Sequence, residues 1–280
     1  MSDARVQETL RNTFDAVALV YDHDDVEYFQ PVGRRLVELA GIGAGQSVLD
    51  IGCGRGAALF PAADAVGPGG EVVGIDLSEA MTAATGQEAD RRGLRQVSVR
   101  AMDGQNPDFP PESFDAVIGS MSVHMVPDTA AAFRAYHRFL RPGGRLAVSA
   151  PVSVQHPEPA VFGLGTIAKW SAEYGSGTQV YPQSDAFGGA QQVLDDLRAA
   201  GFRTITVHDE ELLIRTASGQ EFVAWTWTHG MRLFWEKVPE HQRAGIAAEI
   251  AAEVESHRDP TTSGIAIPSP VRYVLAERGR

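Results

Sequence analysis

Short apolar runs alternate with amphipathic stretches along most of the chain, and this alternation predicts a layered α/β domain. Five such runs precede residue 150, each bounded by glycine, proline or polar residues. Runs of this kind are typical of buried strands. Between them, apolar residues recur every three or four positions, as on one face of a helix. Residues 202–214 and 271–276 add two strand patterns. The chain therefore predicts a doubly wound, mostly parallel, Rossmann-like sheet of seven strands.

The first part of the chain predicts helices instead of strands. Residues 3–20 carry apolar side chains at helical spacing, and Phe14 is interpreted as part of the buried face of that helix. A second helical pattern covers residues 26–39, with an interruption expected at residues 31–33 because of proline and glycine. We expect residues 1–45 to form an N-terminal helical lid.

The remaining residues, 46–280, would form the main domain with two helical cap inserts. The first insert, at about 152–184, is rich in proline, glycine and serine, and the second, at about 218–260, holds a dense aromatic cluster. The large side chains of this cluster are Phe222, Trp225, Trp227, Met231, Phe234 and Trp235. They are too many for one helix stripe, so they indicate a ligand-covering cap, the cap's own core, or a contact in a homo-oligomer.

The most informative local motif is VLDIGCGRG at residues 48–56. In this motif an apolar run contains Asp50, and Gly52, Gly54 and Gly56 follow at alternate positions. Glycine permits positive φ and lets the backbone approach a ligand without a Cβ in the way. A glycine turn after the first strand of a doubly wound sheet is typical of a nucleotide-type cofactor site. Cys53 is interpreted as a small residue that fills the turn, with a reactive thiol as the alternative.

The spacing of these glycines separates two kinds of cofactor. A dinucleotide motif would place its third glycine one position later, where this chain has Ala57. The charge of Asp50, two residues before the first glycine, would repel a pyrophosphate and attract a cationic ligand. The motif therefore favours a cationic cofactor, and a nicotinamide dehydrogenase is the least favoured alternative.

A second acid, Asp76, ends the next strand pattern about 20 residues beyond the turn. This spacing is typical of a carboxylate that holds the two hydroxyl groups of a ribose. Ser78 is a suitable N-cap for the helix that follows, so helix capping does not account for Asp76.

Further landmarks follow in the order of a known family. The segment from Phe14 to Tyr21, the Met102–Asp103 pair, a strand that ends at Ser120 and Met121, and the sequence LRPGGRL at residues 140–146 accompany the glycine turn and Asp76. Together they resemble the class I S-adenosylmethionine-dependent methyltransferases, in particular the ubiquinone/menaquinone-biosynthesis type of C-methyltransferase. The cofactor of that family carries a sulfonium and an ammonium group. The resemblance also implies an antiparallel pair of strands at the end of the sheet.

The resemblance implies which residues bind S-adenosyl-L-methionine and its product S-adenosyl-L-homocysteine. The glycine turn would hold the methionine part, Asp76 the ribose, and Met102 with Asp103 the adenine. For Tyr21 a position in the helix core is the alternative, and for Asp103 an Asx turn is the alternative. The expected cofactor contacts are Tyr21, Asp50, Gly52, Cys53, Gly54, Gly56, Asp76, Leu77, Met81, Met102, Asp103, Gly104, Ser120 and Met121.

Methyl transfer requires an acceptor atom in line behind the methyl group, in a site from which water is excluded. Tyr21 from the lid and the tryptophans of the cap would exclude water. His124, just after the fourth strand, is the expected base if the acceptor must lose a proton, and an imidazole that satisfies loop backbone groups is the alternative. His23, His156 and His229 are further candidates. The eight histidines show no zinc-like spacing, so no metal site is predicted.

Charge and cysteine content restrict the partners and the compartment. The formal net charge of −12 argues against a nucleic-acid partner. The single cysteine excludes an internal disulfide and fits a reducing compartment. Neither a signal peptide nor an apolar run of membrane-spanning length is recognisable, so we expect a cytoplasmic protein.

The predicted function is methylation of a small hydrophobic aromatic, indole or isoprenoid-derived metabolite in specialised metabolism. Carbon is the acceptor atom if the resemblance extends that far, and otherwise oxygen or nitrogen is. Two alternatives stay open. One is an S-adenosylmethionine-dependent cyclase or rearrangement enzyme, and the other is a non-catalytic small-molecule binding module with the same fold.

Overall fold

A computed structural model describes residues 3–22, 26–152, 154–156, 158–160, 162, 164–175 and 190–280. The strands in this part of the chain are β1 (Ser47–Ile51), β2 (Glu71–Asp76), β3 (Val97–Ala101), β4 (Phe114–Ser120), β5 (Leu140–Pro151), β6 (Val154–His156), β7 (Glu158–Ala160), β8 (Phe202–Thr216) and β9 (Ile265–Arg278). Seven of them form one sheet in the order β3-β2-β1-β4-β5-β9-β8, and β6 pairs with β7 in a separate hairpin.

The direction of the strands confirms the predicted doubly wound topology. β1 runs parallel to both of its neighbours, β2 and β4, and β9 is antiparallel to β5 and β8. From β1 the chain continues to β2 on one side of the sheet, and it later returns to β4 on the other side. The carboxyl ends of β1 and β4 therefore form the topological switch point, where open α/β sheets bind their ligands.

Helices cover both faces of the sheet. They are α1 (Asp3–Val17), α2 (Phe29–Ala40), α3 (Leu59–Val66), α4 (Glu79–Arg91), α5 (Thr129–Phe139), α6 (Gly165–Gly175), α7 (Ala190–Ala199), α8 (Gly219–Thr226), α9 (Arg232–Trp235) and α10 (Glu240–Glu255), with a 3₁₀ helix at Val123–Met125. Val48 and Ile118 belong to the core formed with α2 and α3, whereas Leu49 and Ile51 belong to the core with α5 and α7. Because alternate strand residues are buried on opposite faces, the runs are apolar throughout.

The expected interruption of the second N-terminal helix was wrong. α2 continues through Pro31 and Gly33 to Ala40. Pro31 lies in the first turn, where the backbone N–H has no partner within the helix, so proline removes no hydrogen bond there. A Cβ at Gly33 would lie 2.2 Å from the carbonyl oxygen of Ala57, so this glycine lets α2 pack directly against the glycine turn.

The second insert consists of three helices and not one continuous helix. α8 ends at Thr226, and α10 starts immediately after Pro239. α10 packs against α8 and also against α6, so the two inserts touch each other. Residues 176–184 of the predicted first insert lie outside the described residues.

The contact at Gly33 gives a prediction about stability. Gly33→Ala should lower the free energy of unfolding by about 1–3 kcal/mol, because the new methyl group overlaps the backbone at Ala57. Gly86→Ala is the matched control. It also lies within a helix, but its Cβ would meet nothing within 4 Å, so it should raise that free energy by about 0.5–1 kcal/mol. Urea denaturation measures both, and equal effects of the two substitutions would contradict the packing.

Candidate active site

The glycine turn follows β1 at the switch point, and close packing requires two of its glycines. Gly52 has a φ of +65°, and a Cβ there would lie 2.5 Å from the Cβ of Ser122. Gly56 has a φ of +89°, and a Cβ there would lie 2.3 Å from the ring of Phe60. The backbone N–H of Cys53 donates to the carbonyl oxygen of Ile75 at 2.9 Å, which fixes the turn beside the end of β2.

Asp76 connects this turn to the helix that follows β2. Its Oδ2 accepts a hydrogen bond from the backbone N–H of Gly54 at 2.9 Å, and its Oδ1 accepts one from Ser78 at 2.9 Å. Burial raises the pKa of Asp76, and these two backbone donors oppose that shift. Each carboxylate oxygen has a further lone pair, so Asp76 can also accept hydrogen bonds from a ligand's hydroxyl groups.

Asp103 follows β3, and both of its oxygens have protein partners. Oδ1 accepts from the backbone N–H of Gln105 at 2.9 Å, so the Asx turn considered as an alternative is present. Oδ2 accepts from Nε2 of Gln7 in α1, also at 2.9 Å. Asp103 nevertheless lines the cleft described next, so the turn and a ligand contact are compatible.

A cleft lies at the carboxyl ends of β1, β2 and β4. This edge of an open α/β sheet is where such folds bind their ligands. Of the residues predicted from the sequence, it brings together Tyr21, Gly52, Gly54, Asp76, Leu77, Met81, Asp103, Gly104, Ser120 and Met121. The sequence analysis missed, as lining residues, Gln7, Leu10, Phe14, Ile51, Ser122, Met125, Val126 and Pro127. Phe14, interpreted above as core, thus also faces the cleft.

A second cavity of about 380 Å³ adjoins this cleft. Tyr21, Gly52, Gly54 and Ser120 line both spaces. The ring of Tyr21 stacks on that of Phe29, with centroids 5.4 Å apart. The other lining residues include Asp50, Cys53, Arg55 and Ala57. Two of the predicted contacts, Asp50 and Cys53, therefore belong to this second cavity.

Asp50 is a buried carboxylate without a partner. It is 1% exposed, and neither of its oxygens has a hydrogen-bond partner among the described residues. Burial raises its pKa well above the usual range, and the charge of Asp76 contributes in the same direction. A buried carboxylate is costly unless it is paired. Because it lines a cavity, a cationic ligand can provide the missing partner.

Two predicted contacts do not reach either space. Gly56 lies against the ring of Phe60. Met102 packs against the core that contains α5, and its sulfur accepts a hydrogen bond from the backbone N–H of Asp108 at 3.4 Å. Neither residue lines the cleft or the second cavity.

The predicted base, His124, lines neither of the two spaces. It lies in the 3₁₀ helix after β4, and its neighbours Met125 and Val126 face the cleft instead. Burial lowers its pKa to about 4. Of the other candidates, His229 is buried among aromatic rings, His156 lies in β6, and His23 is outside the described residues.

Polar contacts hold the N-terminal helix and the segment after it against the elements that form the cleft. Asp15 accepts from the Ser78 hydroxyl at 2.5 Å and from the backbone N–H of Ala80 at 3.2 Å, both at the start of α4. Nη1 of Arg55, in the glycine turn, donates to the carbonyl oxygen of Ala18 at 2.6 Å. Together with the Gln7–Asp103 bond, these contacts connect residues 3–22 to the segments that follow β1, β2 and β3.

Within the described ranges, no group of three or more histidine, cysteine, aspartate or glutamate side chains has the arrangement of a metal site. No helix in the same ranges has the length and hydropathy needed to cross a bilayer.

The fold and the cleft define a Rossmann-like domain with a site for a nucleoside-type cofactor at its switch point. Comparison with known proteins gives the class of enzyme. Residues 48–144 match a family model described as a methyltransferase domain. The chain is 42% identical to nocamycin O-methyltransferase of Saccharothrix syringae over 273 residues, which cover 93% of this chain and 95% of that protein. It is 46% identical to aklanonic acid methyltransferase DauC of Streptomyces sp. (strain C5) over 152 residues, which cover 54% of this chain and 69% of that protein.

A solved structure has the same fold. The crystal structure of the YcgJ protein from Bacillus subtilis aligns with a TM-score of 0.62 at 15% identity, covering 89% of this chain and 99% of that one. The chain therefore belongs to the S-adenosylmethionine-dependent methyltransferases, as the sequence motifs predicted. The unpartnered carboxylate of Asp50 fits this cofactor, whose methionine part carries an ammonium group.

Asp50 gives a prediction about pH. The unfolded-state pKa of an aspartate is about 3.9, and the folded-state pKa of Asp50 is higher. The folded protein therefore holds this proton more tightly, and wild-type stability falls as the pH rises above about 4 towards the folded-state pKa. Asp50→Asn has no proton to lose. Without cofactor, the variant should gain about 1–3 kcal/mol relative to wild type by pH 8, and little at pH 4. Urea denaturation across this range tests the prediction, which a pH-independent difference would contradict.

Asp76 gives a prediction about cofactor affinity. Asp76→Asn leaves one acceptor oxygen for two backbone donors and any ribose hydroxyl groups, so affinity for S-adenosylhomocysteine should fall by about 1–3 kcal/mol. Asp64→Asn, an exposed position in α3, is the control for loss of a charge and should bind as wild type does. Calorimetry compares the three proteins, and equal affinity in all of them would remove the role of Asp76.

Proposed function

We propose that the protein transfers a methyl group from S-adenosylmethionine to an oxygen atom of a small hydrophobic acceptor in specialised metabolism. The observation that carries this proposal is the 42% identity to an O-methyltransferase over nearly the whole of both chains. An identity that includes both the cofactor site and the cap favours the same acceptor atom in the two proteins.

The proposed binding roles follow from the two adjoining spaces. Asp76, Leu77, Asp103 and Gly104 line the cleft and would hold the nucleoside. Asp50 lines the second cavity and would pair with the ammonium of the methionine part. Gln7 already donates to Oδ2 of Asp103, and the remaining lone pair of that oxygen would accept from the adenine amino group. When bound, the cofactor supplies a methyl group on a positively charged sulfur.

The lining of the site bears on how the acceptor is activated. Neither lining includes a histidine among the described residues, and His124 lies outside both. An acceptor that ionises by itself, such as a carboxylic acid or an acidic hydroxyl group, needs no such base. The aklanonic acid methyltransferase is, by its name, a relative that acts on an acid. We therefore place an acidic oxygen at the acceptor position.

Residues 1–45 would act as a lid in this reaction. Tyr21 and Phe14 line the cleft from the lid side, and Phe29 lines the second cavity. These rings would exclude water and hold the acceptor on the methyl side of the cofactor. Carbon, indole and isoprenoid acceptors, expected from the sequence, have no specific support in the geometry.

The test is incubation of the purified protein with methyl-labelled S-adenosylmethionine and aklanonic acid. The expected product gains one labelled methyl group and loses it on alkaline hydrolysis, as a methyl ester does. Label that survives hydrolysis would exclude a methyl ester, and a carbon–carbon bond to the labelled methyl group in the NMR spectrum would contradict transfer to oxygen. Conversion without a gain in mass would indicate the cyclase alternative, and failure to release S-adenosylhomocysteine with any acceptor of the right shape would favour a binding module.

A further inference from the structure

Among the described residues of the cap, two neighbouring rings, those of Trp225 and His229, each have a buried nitrogen without a hydrogen-bond partner. His229 lies between α8 and α9 and is 3% exposed. Its ring centroid is 4.2 Å from that of Trp225, 5.4 Å from Phe29 and 5.7 Å from Phe162. Phe162 holds a φ of +53°, which is unfavourable for a bulky side chain. We call these four residues the cap aromatic cluster.

The hydrogen bond at one ring nitrogen of His229 fixes the role of the other. The backbone N–H of Met231 donates to Nδ1 at 3.4 Å, so Nδ1 uses its lone pair. Burial lowers the pKa of His229 to about 3, which keeps the ring neutral at physiological pH. In a neutral imidazole whose Nδ1 accepts, the proton is on Nε2. Nε2 is therefore a hydrogen-bond donor, and it cannot take a proton from an acceptor as a base would.

Neither His229 Nε2 nor Trp225 Nε1 has a partner among the described residues. Trp225 is 4% exposed, so its indole N–H is shielded from bulk water. The nearby Trp235 differs, because its Nε1 donates to Oγ1 of Thr226 at 2.8 Å. Buried donors almost always have a partner, and an unmet one is costly. Two unmet donors on touching rings therefore indicate a ligand that accepts hydrogen bonds.

The cap aromatic cluster is continuous with the cofactor site. Phe29 packs against both Trp225 and His229 and also lines the cavity that contains Asp50. On its other side Phe29 stacks on Tyr21, which lines the cleft. The two donors therefore lie one aromatic ring beyond the cavity that contains Asp50.

We infer that Trp225 Nε1 and His229 Nε2 bind an oxygen of the acceptor substrate, and that this acceptor is a planar aromatic molecule carrying a carboxylate or carbonyl group. The inference rests on the proposed function and specifies its substrate class. Indole nitrogen offers only a donor, so a cation is not a suitable ligand here. Phe29 and Phe162 both contact Trp225 and His229, so the surroundings of the two donors are aromatic and suit an aromatic ligand. The two donors are positioning groups that select the substrate.

The test compares two probes in the presence of saturating S-adenosylhomocysteine. 2-Naphthoate carries two oxygens, and 2-isopropylnaphthalene has the same branched shape without them. Wild type should bind naphthoate at least about tenfold more tightly, which corresponds to one or two hydrogen bonds. Trp225→Phe and His229→Leu should each lose most of this preference and leave the affinity for the hydrocarbon unchanged. An equal affinity of wild type for the two probes, or no binding of naphthoate, would overturn the inference.

Two further variants separate binding from folding. His229→Gln retains an N–H donor and should restore much of the preference for naphthoate. Trp235→Phe removes the indole N–H that is bonded within the protein, so it should lower thermal stability but keep the preference. Loss of the preference in Trp235→Phe to the same extent as in Trp225→Phe would contradict a specific role for Trp225.

A measurement on wild type does not depend on how the variants fold. The chain has four tryptophans, and their indole N–H signals can be assigned by single Trp→Phe substitutions. Naphthoate should move the Trp225 signal downfield and leave that of Trp235 in place. An unmoved Trp225 signal at saturation would overturn the inference. If the probe binds through its oxygens but no methyl transfer occurs, only the proposed function is refuted. If an aromatic acid is methylated equally well by wild type, Trp225→Phe and His229→Leu, only this inference is refuted.

Discussion

The proposed site depends on the carboxylate of Asp50 near the end of β1, which has no hydrogen-bond partner among the described residues. β1 carries this side chain into a space where burial raises its pKa and no described residue pairs with it. Gly52, Cys53, Gly54 and Arg55 of the glycine turn border the same space. Burying an unpaired carboxylate is unfavourable in the protein without ligand. A bound cation would pair with the carboxylate and remove that cost, so the preformed site favours binding.

The surrounding elements extend this site in two directions. Towards the proposed nucleoside position, Asp76 and Asp103 already have backbone or side-chain donors, so their positions are set before any ligand binds. Towards the proposed acceptor position, the rings of Tyr21 and Phe29 continue into those of Trp225 and His229. The nucleoside side would bind a cofactor that many enzymes share. The acceptor side is where this chain would select its own substrate.

Most of the residues predicted to bind the cofactor do line the two spaces, because the sequence signals that identify them are local. The glycines, Asp50 and Asp76 occur at the ends of strands, and the parallel topology brings strand ends together. Gln7 could not be predicted, since its contact with Asp103 joins residues that are 96 positions apart. The position of His124 relative to the cleft could not be predicted either, because it depends on a 3₁₀ helix that turns Met125 towards the cleft. Nor does the sequence distinguish Trp225 from Trp235, which differ only in whether Thr226 is within reach.

The central claim is that Asp50 binds the ammonium group of the cofactor, and a thermodynamic cycle tests it most directly. S-adenosylhomocysteine and its analogue without the amino group would each be titrated into wild type and Asp50→Asn by calorimetry. If the two groups interact, wild type prefers the amino-bearing ligand by at least about tenfold and the variant loses that preference. The same preference for the amino group in both proteins would contradict the account.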